Sequence, residues 1–375
     1  MTTRRLFGRA FTGGSIRNDV LVTIRDGVIA AVEQTAKAPD DARRTDGVIA
    51  PGFVDVHVHV GNGADFMDAD EKGNSRILEF HARNGTTALA ATTLSASAQD
   101  LRRAVAAIAR SSAVRGAEIL AVHLEGPYIS PKRSGAQDRA SIRLPAIHEI
   151  NGLLPIAPDL SWLMTIAPEI AGAQELIEYF RGRITFSIGH TAADYAQAVA
   201  ALEWGASHFT HLFNAMTPLD HRQPGVVGAA LESVDATAEL IADGIHVHPV
   251  VLRIAALAKP HRIALVTDAM RACGMPDGDY KLYGYDVTVA GGAARLPDGT
   301  LAGSVLTTGG AVKNMVELAG LPIEVVLPMA TEVPARIAGV ATRKGRVEKG
   351  FDADLVLLGS RLDIEGVIVR GVELE

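Results

Sequence analysis

Short runs of apolar and β-branched residues recur through the middle of the chain, separated by stretches with the periodicity of helices. The runs predict strands at 52–58, 86–91, 118–124, 162–167, 184–188, 208–210, 238–241 and 263–267. Helical patterns lie between most of these strands, at 100–109, 173–180, 193–204 and 250–258. Eight strands with helices between them predict an α/β fold, a TIM-like (β/α)8 barrel.

The two ends of the chain have a different pattern, in which short apolar runs alternate with turn-forming residues. Residues 20–32 predict two strands joined at Asp26-Gly27, a dipeptide that favours tight hairpin turns. Residues 350–358 and 365–372 predict further short strands. We therefore expect the two termini to combine in one small β-sandwich.

The length of the chain agrees with this division. A chain of 375 residues with 48% hydrophobic residues can bury a large core, and its size suggests one large domain and a small one. The predicted division is a sandwich of residues 1–50 and 342–375 and a barrel of residues 51–341. A further strand-rich stretch, 285–301, follows the last predicted barrel strand.

Composition and charge exclude several classes of partner. The net charge of −7 and the lack of Lys/Arg runs argue against nucleic acid. No window approaches the roughly 20 apolar residues of a membrane span, and residues 1–10 lack the apolar stretch of a secretion signal. The single cysteine, Cys273, is typical of a reducing compartment, so we expect a cytoplasmic protein without a membrane partner.

Candidate chemistry begins on the first barrel strand. Val54, Val56 and Val58 alternate with polar residues there, which places His57 and His59 on one face of the strand. On their own, two such histidines are as compatible with a chance pairing as with a metal site.

Further candidates follow later strands, namely Glu125, His190, His211 and Asp268. Each lies at or just beyond the carboxyl end of a predicted strand, where barrel enzymes assemble their active sites. Neutral imidazoles and carboxylates are ligands that leave a metal with an open position. Amide hydrolysis near neutral pH needs an attacking hydroxide, and a bound divalent metal lowers the pKa of its water to roughly 7. The set therefore predicts a metal-dependent hydrolase.

Several longer strings make the hypothesis more specific: 51–59, 63–68, 123–128, 187–191, 211–216, 221–225, 241–246, 267–270 and 301–304. In these strings the chain resembles the N-acetylglucosamine-6-phosphate deacetylases of the amidohydrolase superfamily along nearly its whole length. The His-x-His of the first strand is common to the superfamily. The Glu-Gly-Pro, His-Leu-Phe-Asn-Ala-Met and His-Arg-x-Pro-Gly strings are specific to the deacetylase branch.

The resemblance implies a metal centre. Glu125, His190 and His211 match the ligands of the first metal site, and His57 and His59 match a second site with Glu125 as the bridge. Some relatives lack that pair and use one metal, so we expect one or two divalent ions per subunit. Nitrogen and oxygen ligands suit zinc, which we favour, and also iron, cobalt and manganese.

The resemblance also implies a proton carrier, Asp268. A carboxylate beside the attacking water can take its proton and return it to the departing nitrogen. The alternative is that Asp268 only caps a strand end, which its position after Leu265-Val266-Thr267 permits.

The residues that the resemblance assigns to substrate binding are Ala136, Gln137, Asn214, Ala215, Arg222, His246, Leu301, Ala302 and Gly303. Arg222 and His246 match a phosphate-binding pair, and a guanidinium fork suits phosphate oxygens. Without the resemblance, both would be interpreted as ordinary surface or strand-end residues. Members of this family tend to be homodimers whose phosphate site includes residues of the neighbouring subunit, so the resemblance implies the same here.

Gln137 departs from the family pattern, because some relatives carry at this position a histidine proposed to polarise the acetyl carbonyl. An amide can donate a hydrogen bond but supplies no positive charge. More of the developing oxyanion would then be stabilised by metal, which agrees with the retention of His57 and His59.

The resulting hypothesis is hydrolysis of the acetamide of N-acetyl-D-glucosamine 6-phosphate, giving D-glucosamine 6-phosphate and acetate in amino-sugar catabolism. The alternatives within enzymes are N-acetylgalactosamine 6-phosphate or a cyclic amide as substrate. An alternative from another class is a noncatalytic barrel that serves as a binding module. Such a barrel should have lost metal ligands or the proton carrier.

Overall fold

The computed structural model describes residues 3–111 and 116–374. In chain order its strands are β1 (Thr3–Thr12), β2 (Ser15–Arg25), β3 (Val28–Gln34), β4 (Arg43–Pro51), β5 (Phe53–Val58), β6 (Val60–Gly61), β7 (Ala64–Asp65), β8 (Thr86–Thr93), β9 (Glu118–Glu125), β10 (Ser161–Ile166), β11 (Thr185–Ile188), β12 (His208–Phe209), β13 (Thr237–Ile241), β14 (Ile263–Val266), β15 (Gly278–Leu282), β16 (Tyr285–Ala290), β17 (Ala293–Arg295), β18 (Leu301–Ser304), β19 (Leu355–Leu358), β20 (Ile364–Val369) and β21 (Val372–Glu373).

The helices in the described ranges are α1 (Glu71–Arg83), α2 (Ala98–Ser111), α3 (Ile147–Leu153), α4 (Ala173–Tyr179), α5 (Tyr195–Trp204), α6 (Gly225–Glu232), α7 (Pro249–Ala258), α8 (Thr308–Glu317), α9 (Ile323–Ala330) and α10 (Glu332–Ile337). The residues at which these helices begin are determined by nearby side chains. The Asp194 side chain and Gln197 form a reciprocal capping box that begins α5. Pro249 stands at the first position of α7, where a missing N–H costs nothing.

The predicted α/β barrel is confirmed by one parallel sheet with the order β14-β13-β12-β11-β10-β9-β8-β5. The strands β5, β8 and β14 are buried along their whole length, because the sheet is packed on both faces. The first and last strands meet through specific hydrogen bonds. The Asp268 N–H donates to the His57 carbonyl over 2.9 Å, and the Thr267 hydroxyl donates to the Asp55 carboxylate over 2.6 Å.

Both ends of the chain contribute to a second, seven-stranded sheet with the order β21-β20-β19-β4-β1-β2-β3. Apolar side chains from its first and last strands share one core, which includes Leu6, Val22, Leu355 and Ile368. The sheet curves far enough that Gly27, in the β2–β3 turn, lies against the carbonyl of Arg370. The termini therefore combine as expected, and we propose residues 50/51 and 341/342 as the boundaries with the barrel.

A buried ionic cluster joins this sheet to the barrel. Lys344 is 2% exposed, and its Nζ lies 2.8 Å from Glu118 at the start of β9 and 3.0 Å from Asp352. The same ammonium contacts Asp354, which precedes β19. Three carboxylates around one cation fix how the C-terminal strands sit on the barrel, at the end away from the candidate site.

A small four-stranded antiparallel sheet, β15-β16-β17-β18, follows the last barrel strand. Leu282, Val287 and Ala302 of this sheet pack with Leu94 and Met270 in a separate apolar cluster. The backbone of Ser304 in β18 exchanges hydrogen bonds with Asp268 and Met270, so the sheet is attached to the rim of the barrel. None of the helices in the described parts of the chain is long and apolar enough to cross a membrane.

Candidate metal centre and active site

The candidate ligands lie together at one rim of the barrel. His57 is in β5, His59 follows that strand, and Glu125 is the last residue of β9. His190 and His211 each come two residues after a strand, β11 and β12 respectively. Because all barrel strands are parallel, their carboxyl ends share this rim, and residues far apart in sequence converge there.

Glu125, His190 and His211 form one group that could hold a metal ion. The Glu125 Oε1 atom lies 3.0 Å from His190 Nε2 and 3.1 Å from His211 Nε2. The two imidazole nitrogens are 3.1 Å apart. One carboxylate oxygen and two ring nitrogens therefore surround a single point, as the resemblance implied for the first metal site.

His57, His59 and Glu125 form an adjoining group. The Nε2 atoms of the two histidines lie 3.2 Å apart, and His59 Nε2 lies 3.2 Å from Glu125 Oε2. His57 Nε2 lies 3.4 Å from Glu125 Oε1. Glu125 is thus common to both groups. Asp268 Oδ1 faces the second group, 3.3 Å from His59 Nε2 and 3.7 Å from His57 Nε2.

The hydrogen bonds behind the ligands fit a divalent cation. His190 Nδ1 lies 2.9 Å from the Arg133 carbonyl, which can only accept, so Nδ1 carries a proton and Nε2 is left to bind. His57 Nδ1 lies 2.9 Å from the Glu239 carboxylate and has the same arrangement. This is the usual orientation of metal-binding histidines, whose other ring nitrogen donates to a carboxylate or carbonyl.

The pKa values of the candidate ligands in the ion-free protein also favour a bound cation. Burial opposes a charge on His59, but its contacts with Asp268 and Glu125 outweigh burial and raise the pKa of His59 to about 9. Burial likewise opposes the charge of Glu125, yet His57 and His190 hold the pKa of Glu125 well below its usual range. Protonated histidine rings around Glu125 supply positive charge where a metal ion would bind. Metal binding should therefore release protons and weaken at low pH.

Asp268 is ionised in the same setting. Its burial favours the neutral acid, but the nearby His57 and the hydrogen bond from His59 keep the pKa of Asp268 below its ordinary value. A carboxylate in this state can accept a proton. The group that the sequence assigned as a proton carrier therefore lies within reach of both histidines of the second group.

Two candidate ligands and the candidate proton carrier have strained backbone conformations. His190, His211 and Asp268 have φ angles of 47°, 25° and 45°, in the left-handed region that side chains avoid. Each such residue costs about 1–3 kcal/mol and persists only where the surroundings hold it. At Asp268 the holding bonds are to the His57 carbonyl and from the Ser304 N–H. Strain of this kind is concentrated at functional sites.

A cavity of about 520 Å³ opens above the ligands. Most residues predicted to bind substrate line it, namely Ala136, Gln137, Asn214, Ala215, His246, Leu301, Ala302 and Gly303. Arg222 does not line this cavity, and it is exposed in the segment before α6. Sequence reasoning missed the cations Lys132, Arg133 and Arg295 among the lining residues. Arg295 reaches this opening only because the β15–β18 sheet folds over the rim of the barrel.

The Gln137 side chain is held in one orientation. The Ser95 N–H donates to Gln137 Oε1 over 2.6 Å, so the amide nitrogen points the other way and donates to Glu125 Oε2. Gln137 therefore contacts the carboxylate shared by both ligand groups. Its second amide hydrogen is the one left for a substrate oxygen.

His246 is paired with Asp243. His246 Nδ1 lies 2.6 Å from Asp243 Oδ2, and Asp243 also accepts from the backbone N–H groups of Ile245 and His246. Burial opposes the charge of Asp243, but His246 outweighs it and lowers the pKa of Asp243. Because a carboxylate can only accept, His246 Nδ1 donates to Asp243, and this bond fixes the orientation of the His246 ring at the cavity.

Two further histidines lie beneath the ligands. The His123 ring packs edge-on against His57, with 4.6 Å between ring centroids, and contacts the Val56 carbonyl and Thr165. His208 Nε2 lies 3.0 Å from Glu239. Glu239 itself was not predicted from the sequence. A carboxylate between apolar neighbours in the buried strand β13 was the signal that could have revealed it.

Comparisons with known proteins show similarity to the amidohydrolase family and, within it, to deacetylases of amino-sugar phosphates. The model described as Amidohydrolase family matches residues 48–374. An N-acetylglucosamine-6-phosphate deacetylase of Bacillus subtilis (strain 168) is 40% identical over 361 residues, covering 93% of this chain and 91% of the relative. An N-acetylgalactosamine-6-phosphate deacetylase of Escherichia coli O157:H7 is 37% identical, covering 94% of each chain. The solved structure of a mutant N-acetyl-D-glucosamine-6-phosphate deacetylase from Mycobacterium smegmatis, in complex with N-acetyl-D-glucosamine-6-phosphate, has a TM-score of 0.93 and 34% identity, covering 100% of this chain and 99% of that chain.

Proposed function

Since the chain belongs to the amidohydrolase family, we propose that it hydrolyses the acetamide of N-acetyl-D-glucosamine 6-phosphate, giving D-glucosamine 6-phosphate and acetate. Relatives named for this activity match the chain at up to 40% identity over most of its length. The proposal places the protein in amino-sugar metabolism as a metal-dependent deacetylase.

The observation that carries the proposal is the convergence of five candidate ligands and a further carboxylate, Asp268, at the base of a cavity. Glu125 contacts four imidazoles at 3.0–3.4 Å, and Asp268 faces the same centre. A noncatalytic binding module would have no need to keep both the ligand set and the proton carrier. A volume of about 520 Å³ also suits a monosaccharide phosphate.

Each candidate site residue has its own role in the proposed hydrolysis. Glu125, His190 and His211 would hold a divalent ion, which would supply a Lewis acid and an activated water. Asp268 accepts a proton at its carboxylate from the water that attacks the acetyl carbonyl, and it returns that proton to the nitrogen as the C–N bond breaks. The amine therefore leaves as a neutral molecule. Gln137, with its amide nitrogen turned toward Glu125, is suited to donate its remaining hydrogen to the acetyl oxygen.

Substrate binding is assigned to the cavity. His246, Asn214 and Ala215 would hold the phosphate end, and Ala136, Leu301, Ala302 and Gly303 the sugar. Arg222 is exposed and lies outside the cavity of its own chain, which supports the proposal that it completes the phosphate site of a neighbouring subunit in a homodimer.

The resident ion and the location are part of the proposal. We assign zinc, at one or two ions per subunit, because imidazole and carboxylate ligands suit it. A cytoplasmic location is supported by the single, buried and unpaired Cys273.

A second candidate substrate is N-acetylgalactosamine 6-phosphate. The relative named for that activity is 37% identical over 94% of this chain, close to the 40% of the glucosamine-type relative. The two substrates differ only at one hydroxyl of the sugar ring. The acetamide, the phosphate and the proposed chemistry are the same for both.

The test is a comparison of kcat/KM on three compounds, N-acetylglucosamine 6-phosphate, N-acetylgalactosamine 6-phosphate and unphosphorylated N-acetylglucosamine. We expect the first to be the best substrate and the third to be poor, because His246 and Arg222 recognise phosphate. The Asp268→Asn variant is the control for background hydrolysis. Equal kcat/KM with and without phosphate would contradict the assignment, and a preference for the second compound would establish the alternative.

A further inference from the structure

Glu239 is a fully buried carboxylate directly beneath the ligand groups. It lies on β13, and its side chain contacts residues from two other barrel strands. Its Oε2 atom lies 2.9 Å from His57 Nδ1 and accepts the backbone N–H of His211, also over 2.9 Å. Its Oε1 atom lies 3.0 Å from His208 Nε2. One carboxylate is therefore joined to a ligand of each candidate metal group.

These contacts determine where the protons are. A carboxylate can only accept, so His57 must carry its proton on Nδ1, which leaves Nε2 free to face Glu125 and His59. His208 similarly donates from Nε2, and its Nδ1 lies 2.7 Å from the Thr237 hydroxyl, which can donate to it. All three donors at Glu239 are thus satisfied.

The main chain of Glu239 supports the same region. Its carbonyl accepts the N–H of Leu212 over 2.9 Å, while its side chain accepts the N–H of His211. His211 has a φ angle of 25°, a strained conformation that needs external support. Two consecutive N–H groups bonded to one residue provide that support at the point where the His211 ring turns toward Glu125.

We propose that Glu239 is a positioning residue shared by both metal groups, orienting His57 for one group through its ring and His211 for the other through its backbone. This inference rests on the proposed metal-dependent function. A purely structural role would be limited to satisfying His208 in the core. The two roles differ in which variants should alter metal binding.

The test is a titration of the purified, metal-free protein with Zn²⁺ in a chelator-buffered series. Glu239→Gln keeps the volume of the side chain but leaves one acceptor oxygen for three donors. We expect the affinity for zinc to fall about 10–100-fold, the usual loss when a partner behind a ligand is removed. His208→Gln is the matched control, since it alters the same buried cluster and keeps a donor to Glu239. We expect it to bind zinc like the wild type.

A second measurement uses the zinc-loaded wild type, so it does not depend on whether Glu239→Gln folds. The ring Nδ1 proton of His57 should give a downfield, exchange-protected resonance, assigned by its loss in His57→Asn. Absence of that resonance would overturn the inference, as would wild-type zinc affinity in Glu239→Gln or equal losses in the two variants. Neither readout involves a sugar, so failure of the substrate assignment would leave both interpretable.

Discussion

At Asp268, a carboxylate lies next to two imidazoles while 13% of its side chain stays open to the cavity. Its pKa is kept low by His57 and His59 in spite of burial, so it is ready to accept a proton. Its backbone, at a φ of 45°, is held from both sides by hydrogen bonds. A proton carrier needs a charged group that can accept a proton, access to the cavity and a fixed position. Asp268 has all three.

The Asp268→Asn variant should therefore lose turnover and keep its metal. We expect kcat to fall by about 10²–10⁴-fold, the usual contribution of a positioned acid and base. Zinc content, measured by elemental analysis of the purified protein, should remain that of the wild type, because Glu125 and the histidines are unchanged. Loss of zinc in parallel with activity would indicate that Asp268 acts as a ligand instead.

His81 on α1 carries a separate pH dependence of stability. It is fully buried, its Nε2 lies 2.8 Å from the Val60 carbonyl, and burial lowers its pKa from 6.5 to about 4. Between these two values the unfolded chain binds a proton that the folded protein does not. The contribution of His81 to stability is therefore present above the unfolded value and is lost as the pH falls toward 4.

The His81→Leu variant should lack this pH dependence. Relative to the variant, the wild type should lose up to about 3 kcal/mol of its free energy of unfolding as the pH falls from about 7 to about 4. Urea unfolding of both proteins in their metal-free form at several pH values would measure the difference. A difference that stays constant with pH would show that His81 accepts a proton in the folded state.

At the scale of elements, the ends of neighbouring strands position the candidate metal ligands. Gly189 separates the last residue of β11 from His190, and a Cβ there would lie 2.5 Å from the Thr210 Cβ and 3.0 Å from the Thr165 Cγ2. The strand end therefore fits between its two neighbours only without a side chain. Any shift at this position would move His190 away from Glu125.

Gly189→Ala should consequently weaken both the fold and the metal site. We expect about 1–3 kcal/mol of destabilisation from overpacking, with reduced zinc affinity. Gly310→Ala in α8 is the matched control, since its nearest atoms, on Leu306 and Thr307, are 3.3 Å away and alanine favours helices. Thermal unfolding and zinc titration of both variants would check this. Unchanged zinc affinity in Gly189→Ala would mean that the loop accommodates the methyl group.

At the scale of the whole molecule, Arg222 lies outside the cavity of its own chain. Whether it contributes to the active site of a neighbouring subunit can therefore be tested. Co-expression of an Asp268→Asn chain with an Arg222→Ala chain should restore activity that neither variant has alone. In a mixed homodimer one site would carry both substitutions and the other neither, so about a quarter of all sites should be intact in an equal mixture. Activity no greater than the average of the separate variants would place Arg222 in its own subunit's site or in none.

Much of the architecture follows from local patterns in the chain. The predicted strand 208–210 and the observed β12, His208–Phe209, differ by one residue, and the predicted helix 173–180 and the observed α4, Ala173–Tyr179, also differ by one. The strands agree because a strand buried on both faces appears in the sequence as a continuous apolar run. The helices agree because capping residues mark helix ends within a few positions. The positions of the candidate ligands followed from the same reasoning, since each lies at or just beyond a strand end.

What sequence alone determined was therefore the eight barrel strands, four of the ten helices in the described residues, the barrel and the residue types gathered at its rim. The tertiary structure decided the contacts between residues distant in the chain, such as His57 with Glu239 at a separation of 182 and Thr267 with Asp55 at a separation of 212. It also decided the orientation of Gln137 and the exclusion of Arg222 from the cavity. Local patterns fix backbone conformation, whereas these contacts depend on how strands pack around the barrel axis, which no short stretch of sequence encodes.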